Sequence, residues 1–213
     1  MKVVVLAGAP VDTQMGVDLI ETNGGVGIYK PTANTPDEQR LLQYGIGEGL
    51  KERVVEILSS EKALGNEKAM VYCNSLSAAV DMVEIAEELK MQIVTPFDAY
   101  FEYAKDYNKI FVMAANAQST AKIEEIILKS NPDLISSTFG YHGLVVAIEN
   151  KEEPAEIVER LGIVELMDWF NKSDMEALIL GCTHFPYIIE ELKKLTDKPI
   201  IDPAKYMLNQ LGL

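Results

Sequence analysis

Ala177-Leu178-Ile179-Leu180-Gly181-Cys182-Thr183-His184-Phe185-Pro186 opens on four apolar residues and ends on a glycine, a cysteine, two polar residues, a phenylalanine and a proline. Apolar runs of this length, bounded by turn residues, read as buried strands, and a proline after a capping hydroxyl suits the first turn of a helix. Ala69-Met70-Val71-Tyr72-Cys73-Asn74-Ser75 repeats the construction. These are the only two cysteines of the 213 residues. Each is expected at the carboxyl end of a strand, in a loop leading to a helix. Thiols presented alike from two halves of a chain suit a reaction that moves one proton to or from either face of a carbon.

Outward from these runs, Lys2–Ala9, Val26–Tyr29, Gln92–Thr95, Ile110–Ala114 and Pro199–Ile201 read as further strands. Helices are expected around Asp37–Ser60 (late or interrupted, given Gly45, Gly47 and Gly49), Ala99–Lys105, Thr120–Lys129, Pro154–Phe170, Pro186–Leu195 and Ala204–Leu211. After Ser77, the residues Ala79, Val83, Ala86 and Leu89 fall on one helical face. Such alternation predicts an α/β architecture with mainly parallel sheets, whose functional loops lie at the carboxyl ends of the strands. The expected organisation is two domains, residues 1–95 with 203–213 carrying Cys73, and 96–202 carrying Cys182. Asn23-Gly24-Gly25-Val26-Gly27 lacks the lysine and hydroxyl of a nucleotide loop and reads as a turn into a strand.

A hydrophobic fraction of 48% is ample for packed cores, and the apolar runs are strand-length, far short of the roughly 20 residues of a membrane span. The net charge of −14 and the pI near 4.6 disfavour nucleic acid and anionic membranes as partners. Only three arginines stand against sixteen lysines, and neither cysteine motif contains a Lys or Arg. Any anionic ligand is therefore expected to rely on backbone N–H groups at helix starts. No signal-peptide pattern follows Met1-Lys2-Val3, and two cysteines make no disulfide scaffold, so the expected compartment is the cytoplasm.

A free thiol is mostly protonated at neutral pH, and a helix N-terminus or an imidazolium favours its thiolate. Asn74, Ser75 and Ser77 after Cys73, and Thr183 after Cys182, are residue types that cap helices, and His184 stands two residues from Cys182 as an acid/base partner. Competing readings are two buried structural cysteines, a disulfide between them, and a metal site with His184. The last has unusual Cys-x-His spacing and no fourth ligand, so no metal is expected. His142 reads as structural or as a neighbour of the site.

On these residues the chain resembles the aspartate/glutamate racemase family. Leu178–Pro186 is similar to that family's C-terminal cysteine motif, and Cys73-Asn74-Ser75 to its Cys-Asn-Thr motif. The resemblance implies a cofactor-independent isomerase of two similar, pseudo-symmetric α/β domains with the active site between them. Cys73 would serve one enantiomer of an amino acid and Cys182 the other. It further implies Asp12, His184 and Glu149 as catalytic residues, the last because Leu144-Val145-Val146-Ala147-Ile148-Glu149 is similar to the apolar run leading to a family glutamate after the middle strand. Thr13, Asn74, Ser75, Thr120 and Thr183 would bind the substrate, a small amino acid or carboxylic acid, and a homodimer would be the partner state. Gln14-Met15-Gly16-Val17 and Lys30-Pro31-Thr32-Ala33-Asn34 depart from the family's substrate segments. Glutamate, aspartate or another amino acid stays open, as do a cysteine-dependent isomerase or lyase and a non-catalytic amino-acid-binding homologue.

Overall fold

Every residue from Val3 to Ala7 is completely buried, as expected of a strand covered on both faces in a parallel sheet. The computed structural model describes residues 1–34, 38 and 49–213. The described chain divides into two compact units, Met1–Asp98 with Ala204–Leu213, and Ala99–Pro203.

The first unit holds β1 (Lys2–Ala7), α1 (Pro10–Thr22), β2 (Val26–Pro31), α2 (Leu50–Ala63), β3 (Lys68–Val71), α3 (Asn74–Ala79), α4 (Met82–Leu89) and β4 (Gln92–Val94). Helix α5 (Pro96–Tyr103) carries the chain into the second unit, and α11 (Ala204–Leu211) belongs to the first. The sheet order is β2-β1-β3-β4, with all pairs parallel. One face packs against α2 and α4 through Val54, Leu58 and Ile85, the other against α1 and α11 through Val17, Ile20, Met207 and Leu211.

The second unit repeats the plan with β5 (Lys109–Ala114), α6 (Ala117–Ser130), β6 (Ile135–Gly140), α7 (His142–Glu149), α8 (Pro154–Arg160), α9 (Ile163–Lys172), β7 (Ala177–Gly181), a 3-10 turn (Phe185–Ile188), α10 (Ile189–Leu195) and β8 (Ile200–Ile201). Its order, β6-β5-β7-β8, is again wholly parallel and is the order of the first sheet over again. The expected α/β fold with parallel sheets is the observed one.

Several expected elements differ. Residues 37 and 39–48 of the expected Asp37–Ser60 helix lie outside the described residues, and α2 begins at Leu50 after Gly49 in the left-handed region (φ +99°). The helix after Ser77 is two helices. Val80 is extended and Asp81 caps α4 by accepting from the Val83 and Glu84 amides, a break that resets the helical phase. Met82 and Ile85 therefore face the core, and Val83, expected on the buried face, is exposed. Pro154–Phe170 is likewise split, at Gly162 (φ +70°).

Glu61 is a buried carboxylate on α2. Lys30 of β2 pairs with it at 2.7 Å and the Asn66 amide donates to it at 2.8 Å. The Lys30 ammonium, with Asn66, holds the Glu61 carboxyl below the usual carboxylate range despite burial. A carboxyl depressed in the folded state contributes its full stability above its unfolded pKa of about 4.3 and loses it as pH falls through the folded value. Since Lys30 is partly exposed, Glu61→Gln is expected to destabilise the chain by about 1–2 kcal/mol at pH 7. Urea melts check this: the gap should narrow steadily below pH 4, and a gap of constant size would contradict the assignment.

Candidate active site

In an open parallel sheet, ligands bind at the carboxyl ends of strands where the chain order reverses, because the connections there leave in opposite directions and open a crevice. In the first unit β1 leads to β2 on one side while β3 lies on the other. The switch point is thus flanked by the loops after β1 and β3, which carry Ala9–Thr13 and Tyr72–Ser75. In the second unit it lies between β5 and β7, flanked by Ala115–Thr120 and Cys182–His184.

Register makes the two cysteines equivalent. Leu6 pairs with Val71, and the Tyr72 amide donates to the Leu6 carbonyl, so Cys73 stands two positions beyond the residue opposite Leu6. Met113 pairs with Leu180 and Ala114 with Gly181, so Cys182 stands two positions beyond the residue opposite Met113. Leu6 and Met113 each precede the last residue of the strand, Ala7 or Ala114. Neither cysteine is in a disulfide, and both are almost completely buried.

The loops after β1 and β5 match as well. Ala9 and Asn116 are the N-caps of α1 and α6, and Thr13 and Thr120 occupy the fourth position of each helix. The Thr13 hydroxyl donates to the Ala9 carbonyl at 2.7 Å and that of Thr120 to the Ala117 carbonyl at 2.9 Å. Both hydroxyl protons are thus committed to backbone, leaving the oxygens as acceptors. Asp12 is buried in the first turn of α1, where its Oδ1 accepts from the Ala9 amide (2.8 Å) and the Thr13 amide (3.1 Å). The sequence reading passed over Asn116, whose side chain accepts from the Ser119 amide, and the buried Ser119 itself. Their signal was the repeat of alanine four or three residues before a threonine after the first strand of each unit.

Glycines permit two of the close approaches. A Cβ at Gly16 would stand 2.7 Å from Val5 Cγ1 and 2.9 Å from Tyr72 Cβ, and one at Gly181 would stand 2.6 Å from Ile123 Cδ1. Helices α1 and α6 therefore press directly on the strand ends beside the cysteines.

Around Cys73 the expected capping differs. Cys73 is itself the N-cap of α3, Asn74 is the first helical residue, and the Ser77 hydroxyl donates back to the Cys73 carbonyl at 2.9 Å. Asn74 is 3% exposed, and neither its Nδ2 nor its Oδ1 has a hydrogen-bond partner among the described residues. Ser75 follows, half-buried.

Around Cys182, Thr183 is buried but caps no helix. A turn leads into the 3-10 segment, whose N-cap is His184, with the Phe185 amide donating to the Cys182 carbonyl. The Cys182 sulfur lies 3.6 Å from His184 Nδ1, and His184 Nε2 lies 3.4 Å from Glu149 Oε1. The structure thus assembles a thiol–imidazole–carboxylate row. Glu149 is the last residue of helix α7, which follows the strand Ile135–Gly140. His142 is exposed at the first position of α7. The departing segment Lys30–Asn34 is tied down: Lys30 pairs with Glu61, the Thr32 hydroxyl donates to the Ala7 carbonyl, and the Asn34 amide donates to Glu38. Among the described residues no group of three or more His, Cys, Asp or Glu could hold a metal ion, and no helix is long and apolar enough to cross a membrane.

Residues 32–211 match the family described as Asp/Glu/Hydantoin racemase. The chain belongs to that family. The glutamate racemase of Glaesserella parasuis serovar 5 is 26% identical over 150 residues, 68% of this chain and 56% of its own length. That of Clostridium acetobutylicum is 29% identical over 204 residues, 88% and 78% of the respective chains. This Asp/Glu/Hydantoin racemase family member therefore spans little more than half the length of the first of these relatives. Among solved structures, glutamate racemase from Francisella tularensis in complex with D-glutamate superimposes with a TM-score of 0.72 at 19% identity, covering 99% of this chain and 79% of that one. Picrophilus torridus aspartate racemase gives 0.68 at 15%, covering 99% and 94%. At such identities the likeness is one of fold.

Proposed function

We propose that the protein racemises glutamate or aspartate without a cofactor, using Cys73 and Cys182 as the two acid/base groups. The observation that carries this is the register equivalence of the two thiols at the switch points of two sheets with the same strand order. Membership of a family that includes amino-acid racemases supports the reaction class. One thiolate takes the hydrogen from Cα, the electron pair remains on the substrate as a carbanion, and the opposite thiol donates its proton to the other face. The roles of the sulfurs are then exchanged, ready for the other enantiomer.

The remaining residues follow from this chemistry. His184, between Cys182 and Glu149, would stabilise the thiolate as imidazolium while the carboxylate fixes the ring's orientation. Asp12, locked by two amides in the loop beside Cys73, would support that thiol. Neither cysteine loop offers a Lys or Arg, so the carbanion and the carboxylate must be met by neutral donors: backbone N–H groups and the side chains of Asn74, Ser75 and Thr183, with Thr13 and Thr120 accepting from the amino group.

The test is solvent exchange. In deuterated water, L-glutamate, D-glutamate, L-aspartate and D-aspartate are each incubated with the enzyme and followed by proton NMR and optical rotation. Expected is loss of the Cα–H signal in step with loss of rotation for one of the two acids. Absence of both with all four amino acids would refute the proposal.

A further inference from the structure

The turn after Glu149 ends α7 in a common helix-terminating arrangement but with an uncommon residue at its left-handed position. The Asn150, Lys151 and Glu152 amides donate to the carbonyls of Val146, Ile148 and Ala147, and Lys151 sits at φ +58°, the left-handed region that glycine normally occupies. Two contacts hold Glu152 at the end of this turn. Its carboxylate pairs with Arg160 of α8, and its carbonyl accepts a hydrogen bond from the Tyr187 hydroxyl at 3.1 Å. Tyr187 belongs to the 3-10 segment that His184 caps, and that segment packs on both α7 and α8.

We propose that Tyr187 is a positioning residue: its hydroxyl fastens the turn after α7 to the segment carrying His184, and so keeps the Glu149 carboxylate against the imidazole. Its role in turnover rests on the function proposed above, whereas the contact it maintains does not. Glu149 is the last residue of α7, where helices fray, and is partly exposed. A left-handed lysine in the following turn favours unwinding there. The clasp across to Glu152 opposes it from the side on which His184 sits.

Titratable groups that face the ring among the described residues include Cys182 from the loop after β7 and Glu149 from α7. Arg160 of α8 is engaged by Glu152, and Lys193 and Lys194 of α10 pair with Glu190 and Glu191 of the same helix. The carboxylate of Glu149 is thus the group whose displacement the ring would register.

The chain has two histidines, one buried at the row and one exposed, so a histidine NMR titration of the unliganded full chain reads His184 with His142 as internal reference. Tyr187→Phe removes the hydroxyl alone. Expected is a His184 titration moved toward acid by roughly 0.5 pH unit or more, because the imidazolium loses its carboxylate, with His142 unmoved. Glu149→Gln should move His184 in the same direction, and adding Tyr187→Phe to it should change little further. Lys151→Gly, which relieves the left-handed residue and keeps the clasp, should leave His184 at its parental position. If the Tyr187→Phe curve superimposes on the parent while that of Glu149→Gln moves, or if both histidines shift together, the proposal is overturned. No substrate enters these measurements, so they stand apart from the solvent-exchange test. Where turnover is observed, the limb of the kcat/KM profile that follows His184 should move with it in Tyr187→Phe.

Discussion

Cys73→Ser and Cys182→Ser are each expected to lower enantiomer interconversion by at least ~10³-fold, while each still exchanges the Cα hydrogen of one enantiomer, a different one in the two variants. The asymmetry must be sought in exchange. Enantiomers have equal free energies in solution, so the equilibrium constant is unity and any substitution lowers kcat/KM equally in both directions. Turnover alone cannot reveal which thiol was lost. A serine hydroxyl is far too weak an acid to ionise at neutral pH, but the surviving thiol can still remove hydrogen from the face it meets and return deuterium to it. The amino acid whose Cα–H points at that sulfur is then labelled without inversion. Opposite labelling preferences of the two variants in deuterated water would establish one base per face. Two variants that label the same enantiomer, or that keep racemising, would dismantle the two-base mechanism.

What the sequence could disclose was governed by how local the causes were. The strand–cysteine–turn runs are dictated by unbroken apolar stretches buried on both faces, so β1, β3, β5 and β7 are plain in the chain. Strand β6, Ile-Ser-Ser-Thr-Phe-Gly, is an edge strand with one paired neighbour and an exposed face, and has no apolar run to announce it. The phase error at Val83 has a similar origin. A one-residue break at Val80, capped by Asp81, rotates a helix whose apolar spacing would otherwise run on. Within the site, Cys73, Cys182 and His184 could be read directly because two strand ends display them. The approach of Glu149 to His184 depends on how α7 packs on the 3-10 segment, and the clasp from Tyr187 on a carbonyl, which no residue type marks. The common strand order, which makes the cysteines counterparts, is a property of pairing between distant segments.

Asn74 carries the other large effect, and it runs against the usual behaviour of buried residues. Truncating a packed core side chain generally costs about 2–5 kcal/mol. Here the side chain is an amide whose donor and acceptor are both buried without a partner among the described residues, an arrangement that itself costs about 1–3 kcal/mol. Asn74→Ala removes that penalty while opening a small cavity, and the two changes offset. The variant is therefore expected to unfold within ~1 kcal/mol of the parent in urea. Activity should behave oppositely: with the donor beside Cys73 gone, the proposed carbanion loses one of its neutral partners, and kcat/KM should fall by about 10²-fold or more. Substrate protection supplies the link between the two measurements, because a ligand that binds only the folded chain raises its melting temperature. The acid identified by solvent exchange should raise the parent's melting temperature, and raise that of Asn74→Ala much less. A variant that loses several kcal/mol but retains turnover and protection would make Asn74 a packing residue, and the buried amide would then have to be answered from within the protein. A stable variant without turnover would mean that the first residue of α3 retains an unpaired amide, at a cost in folding, for the ligand it meets.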